Sequence, residues 1–171
     1  AHEDSITAIG YRGWWGLPAL PKSNTNTPAA REFLSEVAEH WTRFSADGWR
    51  LDVATEIDDD SFWQEFRNRV RAVNPEAYIV AEIWHESQRW LQGDQFDAIM
   101  NYDVTRPCLA FFGRKLDLSV LHQQSNYHGI KHTIDAHEFA NQIDHNLGLY
   151  KPDITSSQLN LLDSHDTPRY L

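Results

Sequence analysis

The sequence predicts an α/β fold whose strands run parallel. Four apolar segments typical of buried strands, at 49–54, 77–81, 96–100 and 158–162, are separated by helical patterns. Strands that alternate with helices favour right-handed crossovers and therefore a parallel sheet. The second segment is almost continuously apolar, as expected for a parallel strand that is covered on both faces.

The predicted helices are marked by signals at their ends. Thr27 is the expected N-cap of the first helix. A second helix begins after Asp58-Asp59-Asp60, where the helix dipole favours carboxylates, and ends at Asn74-Pro75. A third begins at Asp135-Ala136-His137-Glu138, which has the pattern of a capping box. A short helix is also expected over residues 86–91.

The first helix carries an apolar stripe at helical spacing, which predicts one buried face. The stripe consists of Phe33, Leu34, Val37, Ala38, Trp41 and Phe44. Of the seven tryptophans, Trp41 and Trp63 are expected to lie in the core. A tryptophan exposed in a cleft would instead serve as a platform for a sugar ring.

Composition narrows the class of protein. The 171 residues suffice for one domain with a core, and 41% hydrophobic residues are typical of a globular chain. A net charge of −10 argues against a nucleic acid or an anionic membrane as partner, so a neutral substrate fits best. The single cysteine, Cys108, excludes an intrachain disulfide. No apolar run approaches the length of a membrane span.

Charged side chains lie in or directly after three of the four predicted strands. Asp52 lies in the first strand on the same face as Arg50, Glu82 follows the second, and Asp166 follows the fourth beside His165. Active sites of parallel α/β folds lie at the carboxyl ends of strands. Asp52 and Glu82 can therefore reach the ~5–5.5 Å separation that a retaining glycosidase needs. Taken alone, the first strand is equally compatible with a structural Arg50–Asp52 ion pair.

Three motifs carry a resemblance to a known family. They are Gly48-Trp49-Arg50-Leu51-Asp52-Val53-Ala54, Glu82-Ile83-Trp84-His85 and Leu161-Leu162-Asp163-Ser164-His165-Asp166-Thr167-Pro168-Arg169, with Leu20-Pro21-Lys22-Ser23-Asn24 as a looser fourth. The chain resembles the α-amylase family of glycoside hydrolases, and within it the neopullulanase, cyclomaltodextrinase and maltogenic amylase branch. The resemblance covers essentially the whole chain. It implies a (β/α) barrel of the TIM type, of which this sequence holds about half, strands four to seven.

The resemblance also implies roles for the charged residues. Asp52 would be the nucleophile, Glu82 the acid/base, and Asp166 the residue that stabilises the transition state. Arg50 would keep Asp52 ionised and oriented, and His165 would bind sugar hydroxyls. The surroundings agree, because Arg50 favours the charged form of Asp52, whereas crowding and partial burial are expected to raise the pKa of Glu82.

Further substrate-binding residues are implied near the first two strand ends. Thr55 and Glu56 would act at the acceptor side, although the branch more often has Asn where Thr55 stands. Trp84 is a candidate sugar platform, with a core tryptophan as the alternative, and His85 is expected to hydrogen-bond substrate.

The implied function is hydrolysis of α-1,4-glucosidic bonds in cyclodextrins, pullulan or maltodextrins through a covalent glycosyl-enzyme intermediate. Two alternatives stay open: a glucanotransferase or isomerase of the same family, and a non-catalytic amylase-like fragment. No cofactor is expected. His128, His132 and His137 lack a metal-binding pattern, and no metal ligands are assigned. The resemblance allows a structural calcium in the parent enzyme, for which the sequence identifies no ligands.

The resemblance implies that this chain holds only part of a catalytic domain. Residues 1–27 would be the end of an inserted, domain-B-like loop domain, and residues 28–171 part of the catalytic barrel. A closed barrel takes eight strands and ~250 residues, so the chain is expected to be a fragment of a larger enzyme, with little or no activity alone. The open sheet would expose two edges, through which the fragment is expected to self-associate. The resemblance favours a cytoplasmic location.

Overall fold

The computed structural model describes residues 10–113 and 115–170, which divide into two compact units. The first unit comprises residues 10–47 and 55–77, and the second comprises residues 48–54, 78–113 and 115–170. Among these residues no helix combines the length and the apolar character needed to cross a bilayer.

The first unit begins with an irregular segment. Residues 10–27 contain one short 3-10 helix, Trp14–Gly16, and a bridge between Gly13 and Pro21. The predicted domain division after residue 27 stays a prediction. Residues 1–9 of the predicted loop domain lie outside the described residues, as do residues 114 and 171 of the predicted barrel segment.

Two helices that pack against each other complete the first unit. Helix α1 spans Pro28–Arg43 and helix α2 spans Asp60–Val73. Asp59 caps helix α2 by accepting a hydrogen bond from the backbone N–H of Phe62 at 3.1 Å. Thr27 occupies the N-cap position of helix α1, as predicted, but its side chain makes no capping hydrogen bond.

The predicted buried stripe of helix α1 is wrong in its aromatic members. Trp41 is 50% exposed, and Phe33 and Phe44 are more exposed still. The buried residues of this helix are instead the small side chains Ser35, Ala38 and Thr42. These residues recur at the same helical spacing, so periodicity alone did not identify the buried face. Trp63, on helix α2, is buried as predicted.

The second unit is built on a four-stranded parallel sheet with the order β1-β2-β3-β4. The strands are β1 (Gly48–Leu51), β2 (Tyr78–Ala81), β3 (Ala98–Asn101) and β4 (Leu159–Asn160). The predicted α/β class with parallel strands is confirmed. Parallel pairing brings the carboxyl ends of all four strands to the same edge of the sheet.

Strand β1 is shorter than predicted. It ends at Leu51, and Asp52 and Val53 form a turn in which Val53 has a positive φ of 37°. Asp52 therefore lies just beyond the strand rather than within it. The start of the strand requires glycine, because a Cβ atom on Gly48 would lie 2.1 Å from the carbonyl oxygen of Tyr78.

The connection from β3 to β4 is helical, whereas the connection from β2 to β3 is not. Helices α3 (Tyr102–Phe112), α4 (Leu118–Leu121), α5 (Ala136–Gly148) and α6 (Pro152–Ser157) join β3 to β4. Asp135 caps α5 as predicted, accepting from the backbone N–H of Glu138. The short helix predicted over 86–91 is wrong: the segment forms turns, in which the Ser87 hydroxyl donates to the carbonyl of His85.

A hydrophobic cluster packs around strands β2 and β3. Its buried members are Val80, Ala98, Met100 and Tyr102, and Tyr78, Trp84 and Leu161 pack against them. Met100, Tyr102 and Trp84 lie at or just beyond the ends of β3 and β2. The core of the second unit therefore supports the edge of the sheet at which the charged residues lie.

Candidate active site

The guanidinium group of Arg50 contacts both carboxylates at the ends of β1 and β2. Its Nη1 lies 2.5 Å from Oδ1 of Asp52, and its Nη2 lies 2.8 Å from Oε1 of Glu82. Its Nε donates to the sulfur of Met100, on strand β3, at 3.5 Å. Because the guanidinium is planar and rigid, these contacts fix the two carboxylates relative to each other.

Parallel pairing of β1 with β2 produces this juxtaposition. Leu51 stands opposite Ala81, and the backbone N–H of Glu82 donates to the carbonyl of Leu51 at 2.8 Å. The residues that follow these two positions, Asp52 and Glu82, are therefore neighbours at the sheet edge. The predicted meeting of these two carboxylates is a consequence of strand register.

The two carboxylates have different environments. Glu82 is 1% exposed, whereas the side chain of Asp52 is 56% exposed. Burial raises the pKa of Glu82 above its ordinary value, and the charges of Asp52 and Asp166 raise it further, against the opposing effects of the Val53 N–H and Arg50. The predicted direction of this shift is confirmed. A buried acid with a raised pKa beside an exposed carboxylate is the pairing that acid-assisted displacement requires.

The third carboxylate lies in the turn after strand β4. Oδ2 of Asp166 is 3.1 Å from Nε2 of His165, and both side chains are exposed. The backbone N–H of Asp166 donates to the hydroxyl of Ser164 at 3.2 Å, which shapes the turn. The charge of Asp166 also contributes to the raised pKa of Glu82.

An aromatic pair adjoins the carboxylates. Trp84 is half-buried, and its indole stacks on the ring of Tyr102 with centroids 3.6 Å apart and planes 5° from parallel. Tyr102 is buried and donates from its hydroxyl to Ser164 at 3.0 Å. One face of Trp84 is therefore covered by Tyr102. His85 is exposed, and its Nδ1 lies 2.9 Å from the carbonyl oxygen of Glu86.

Thr55 and Glu56 belong to the first unit, in the 3-10 helix Ala54–Glu56 that follows the Asp52 turn. The carboxylate of Glu56 forms an ion pair with Nζ of Lys22 at 3.1 Å, and Nζ also donates to the Glu56 carbonyl at 2.6 Å. These residues line a cavity of about 1150 Å³, together with Arg12, Asn24 and Asp58. The Leu20–Asn24 motif is thus physically linked to Glu56.

Sequence reasoning identified the charged residues and overlooked their supports. Met100, Tyr102, Ser164 and Val53 each contact a candidate site residue or share its turn. Of these residues, Tyr102 could most easily have been predicted from the sequence, since it follows directly after the third strand. Across residues 10–113 and 115–170 no three His, Cys, Asp or Glu side chains converge as a metal site requires.

Fold and site together define a class. A four-stranded parallel sheet presents three carboxylates, an arginine and a histidine at or just beyond the carboxyl ends of its strands, with one carboxylate buried and two exposed. That arrangement is typical of the (β/α)-barrel glycosidases.

Comparison with known proteins identifies the family. Residues 14–171 match the family model described as "Alpha amylase, catalytic domain". The chain belongs to the alpha-amylase family. The resemblance drawn from its motifs is confirmed, and its parallel sheet is part of a TIM-type barrel.

Three relatives illustrate the similarity. The chain is 45% identical to a cyclomaltodextrinase from Geobacillus thermopakistaniensis (strain MAS1), covering 91% of this chain and 24% of the relative. It is 41% identical to neopullulanase 2 from Thermoactinomyces vulgaris, covering 91% and 23%. The solved structure of Ttha1563 from Thermus thermophilus superposes with a TM-score of 0.88 at 52% identity, covering 93% and 33%. The chain thus spans about a quarter of the length of the curated relatives it matches.

Proposed function

We propose that the whole protein hydrolyses α-1,4-glucosidic bonds in cyclodextrins, pullulan or short maltodextrins, with retention of anomeric configuration. The observation that carries the proposal is the shared contact of Arg50 with Asp52 and Glu82. The names of the relatives, cyclomaltodextrinase and neopullulanase, support the class of substrate.

The proposed reaction has two displacements. In the first, Glu82 gives its proton to the glycosidic oxygen while a carboxylate oxygen of Asp52 bonds to the anomeric carbon, and the remainder of the glucan leaves as an alcohol. In the second, ionised Glu82 takes a proton from water, the resulting hydroxide displaces Asp52 from the anomeric carbon, and the sugar is released. Glu82 is then protonated again and Asp52 is a carboxylate again.

The different surroundings of the two carboxylates support this division of roles. The buried Glu82, with its raised pKa, retains a proton to higher pH than an ordinary glutamate. Asp52, exposed and paired with Arg50, is free to approach a sugar from solvent. Asp166 and His165, on the turn after β4, supply oxygen and nitrogen atoms for the hydroxyls of the same ring.

The test is substitution of the acid in the whole protein. Glu82→Gln is expected to lower turnover of maltodextrin by at least the ~10²–10⁴ that general acid/base catalysis contributes. Proton NMR of the first product is expected to show the α-anomer before mutarotation. Unchanged turnover, or a β-anomer as first product, would exclude the proposed mechanism.

Transfer to a sugar in place of water is the second candidate, because Thr55 departs from the pattern of the branch and leaves the balance between hydrolysis and transfer open. This residue stands beside Glu56 where the branch more often has Asn. Analysis of products separates the two functions, since hydrolysis yields only glucose and maltose-type fragments, whereas transfer yields new linkages. A non-catalytic role is less well supported, because all three carboxylates are present.

A further inference from the structure

Val53 has a backbone conformation that a β-branched residue rarely adopts. Its φ of 37° lies in the left-handed region, where the Cβ atom of an L residue crowds the backbone. Such conformations persist only where the surrounding structure imposes them, and they concentrate at functional sites. Val53 directly follows Asp52, so the strain lies beside the proposed nucleophile.

The backbone N–H of Val53 contacts the proposed acid/base. Its backbone N–H donates to Oε2 of Glu82 at 3.1 Å, while Oε1 of the same carboxyl group faces Arg50 at 2.8 Å. Glu82 thus has a hydrogen bond at Oε2 and an ion-pair contact at Oε1, and at 1% exposure it has little contact with solvent. One of these two contacts comes from the main chain of the segment that carries Asp52.

We propose that Val53 is a positioning residue for Glu82: its backbone N–H, in the turn that directly follows the nucleophile, donates to Oε2 and holds the acid/base next to the nucleophile. The proposal rests on the proposed function, because it gives Val53 a role in the reaction assigned to Asp52 and Glu82. An N–H supplied by the residue after the nucleophile couples the positions of the two reacting groups directly.

The pH dependence of the reaction reports on this contact. Arg50 and Asp52 face Glu82 from β1 and the turn after it, Asp166 faces it from the turn after β4, and Tyr102 faces it from helix α3. The Val53 N–H favours the charged form of Glu82 and so lowers its pKa. Loss of that N–H alone is therefore expected to move the alkaline limb of kcat/KM to higher pH.

The experiment replaces the Val53 amide by an ester in the whole protein, using the α-hydroxy acid analogue of valine. The side chain is unchanged, and only the N–H is lost. We expect kcat/KM on a short maltodextrin to fall about tenfold, the equivalent of one ordinary hydrogen bond, and the alkaline limb to shift upward. Val53→Gly retains the N–H and accepts positive φ, so its alkaline limb is expected at the wild-type pH.

Ser45 provides a matched control. It also has a positive φ, and its N–H donates to the carbonyl of Thr42 at 3.2 Å. An ester at Ser45 removes a comparable hydrogen bond and is expected to leave kcat/KM and the pH profile unchanged. An ester at Val53 that folds with a wild-type alkaline limb would overturn the proposal.

A second measurement applies if the Val53 ester does not fold. In wild-type protein labelled with ¹⁵N-valine, the amide proton of Val53 is expected to titrate with Glu82, and in Glu82→Gln this titration is expected to vanish. An amide that does not respond to Glu82 would overturn the proposal. Failure of the proposed function is distinguishable, because it appears as unchanged turnover in Glu82→Gln, whatever Val53 does.

Discussion

The indole ring of Trp84 lies flat against the phenol ring of Tyr102, with the two centroids 3.6 Å apart. The pair joins the residue two positions after Glu82 to the first residue of helix α3, and the Tyr102 hydroxyl continues the connection to Ser164 in the Asp166 turn. Trp84, the candidate sugar platform, is therefore supported on one face by the buried Tyr102. Tyr102 also contacts Ser164, in the turn that carries Asp166.

Two substitutions of Tyr102 are expected to separate the effect of its stacking on Trp84 from that of its hydrogen bond to Ser164. Tyr102→Leu removes the stacked ring and should cost about 0.5–1.5 kcal/mol beyond the loss of buried area, as aromatic pairs do. Tyr102→Phe retains the stack and removes only the hydrogen bond to Ser164. Thermal unfolding and KM for maltodextrin are the measurements. Equal KM values for wild-type protein and Tyr102→Leu would show that Trp84 does not need Tyr102 for substrate binding.

Arg50→Lys is expected to reduce kcat/KM strongly, because a lysine ammonium cannot contact two carboxylates through one rigid fork. Arg50→Gln also removes the positive charge that lowers the pKa of Glu82, so in that variant the alkaline limb should move to higher pH. Arg43→Lys is the control, since Arg43 forms an exposed ion pair with Glu39 within helix α1. Arg50→Lys with wild-type kcat/KM would contradict the role given to the shared contact.

The buried Glu82 is expected to make stability fall as pH rises. Its pKa is raised in the folded state, so between the unfolded and folded pKa values the native protein binds more protons than the unfolded chain. Stability is therefore highest below the unfolded pKa of Glu82 and declines as pH rises through the folded one. Glu82→Gln should raise Tm above wild type at alkaline pH and lose this advantage in acid. The exposed Glu36→Gln on helix α1 controls for removal of a charge.

The ion pair between Lys22 and Glu56 is expected to influence whether water or a sugar accepts the glucosyl group, and to have little effect on the stability of the fold. Both side chains are partly exposed, so Lys22→Gln should change the free energy of unfolding by less than about 1 kcal/mol. Because Lys22 contacts both the carboxylate and the carbonyl of Glu56, its loss should alter the ratio of transfer to hydrolysis. Product analysis of Lys22→Gln, Glu56→Gln and the double variant measures this, and independent effects of the two substitutions would argue against coupling.

The isolated 171-residue chain is expected to self-associate. In the described part of the chain, β1 and β4 are the outer strands of the sheet, and each has one edge without a strand partner. Unpaired strand edges are templates for pairing with another chain. Size-exclusion chromatography is the measurement, and a soluble monomer across a wide range of concentrations would contradict the expectation.

The alternation of strands and helices predicted the parallel sheet, and the charged residues after Leu51 and Ala81 predicted the active-site edge. These features depend on local pattern and on the rule that parallel strands share their carboxyl ends. The exposed face of helix α1 could not be predicted, because the stripe that contains Trp41 and the buried set that contains Ser35 and Thr42 have equal periods, and only tertiary packing selects between them. The turn at Val53 was missed for a similar reason, since a β-branched residue after a strand predicts further strand.

The residues that contact and position the site residues could not be predicted from the sequence either. The contact of Met100 with Arg50 joins residues 50 positions apart, and that of Tyr102 with Ser164 joins residues 62 apart. Nothing in either local segment indicates the pairing, because strand register creates it. Position at the ends of parallel strands predicted which carboxylates meet, whereas three-dimensional packing determines which side chains support them.

The central claim is that Asp52 and Glu82 act on one anomeric carbon, and trapping the intermediate tests it most directly. The whole protein carrying Glu82→Gln, which slows removal of the sugar, would be incubated with a 5-fluoro-α-glucosyl fluoride and analysed by peptide mass spectrometry. We predict one covalently bound fluoroglucosyl group, on the side chain of Asp52. A label on any other residue, or turnover with no covalent adduct and inversion of the anomeric centre, would contradict the account.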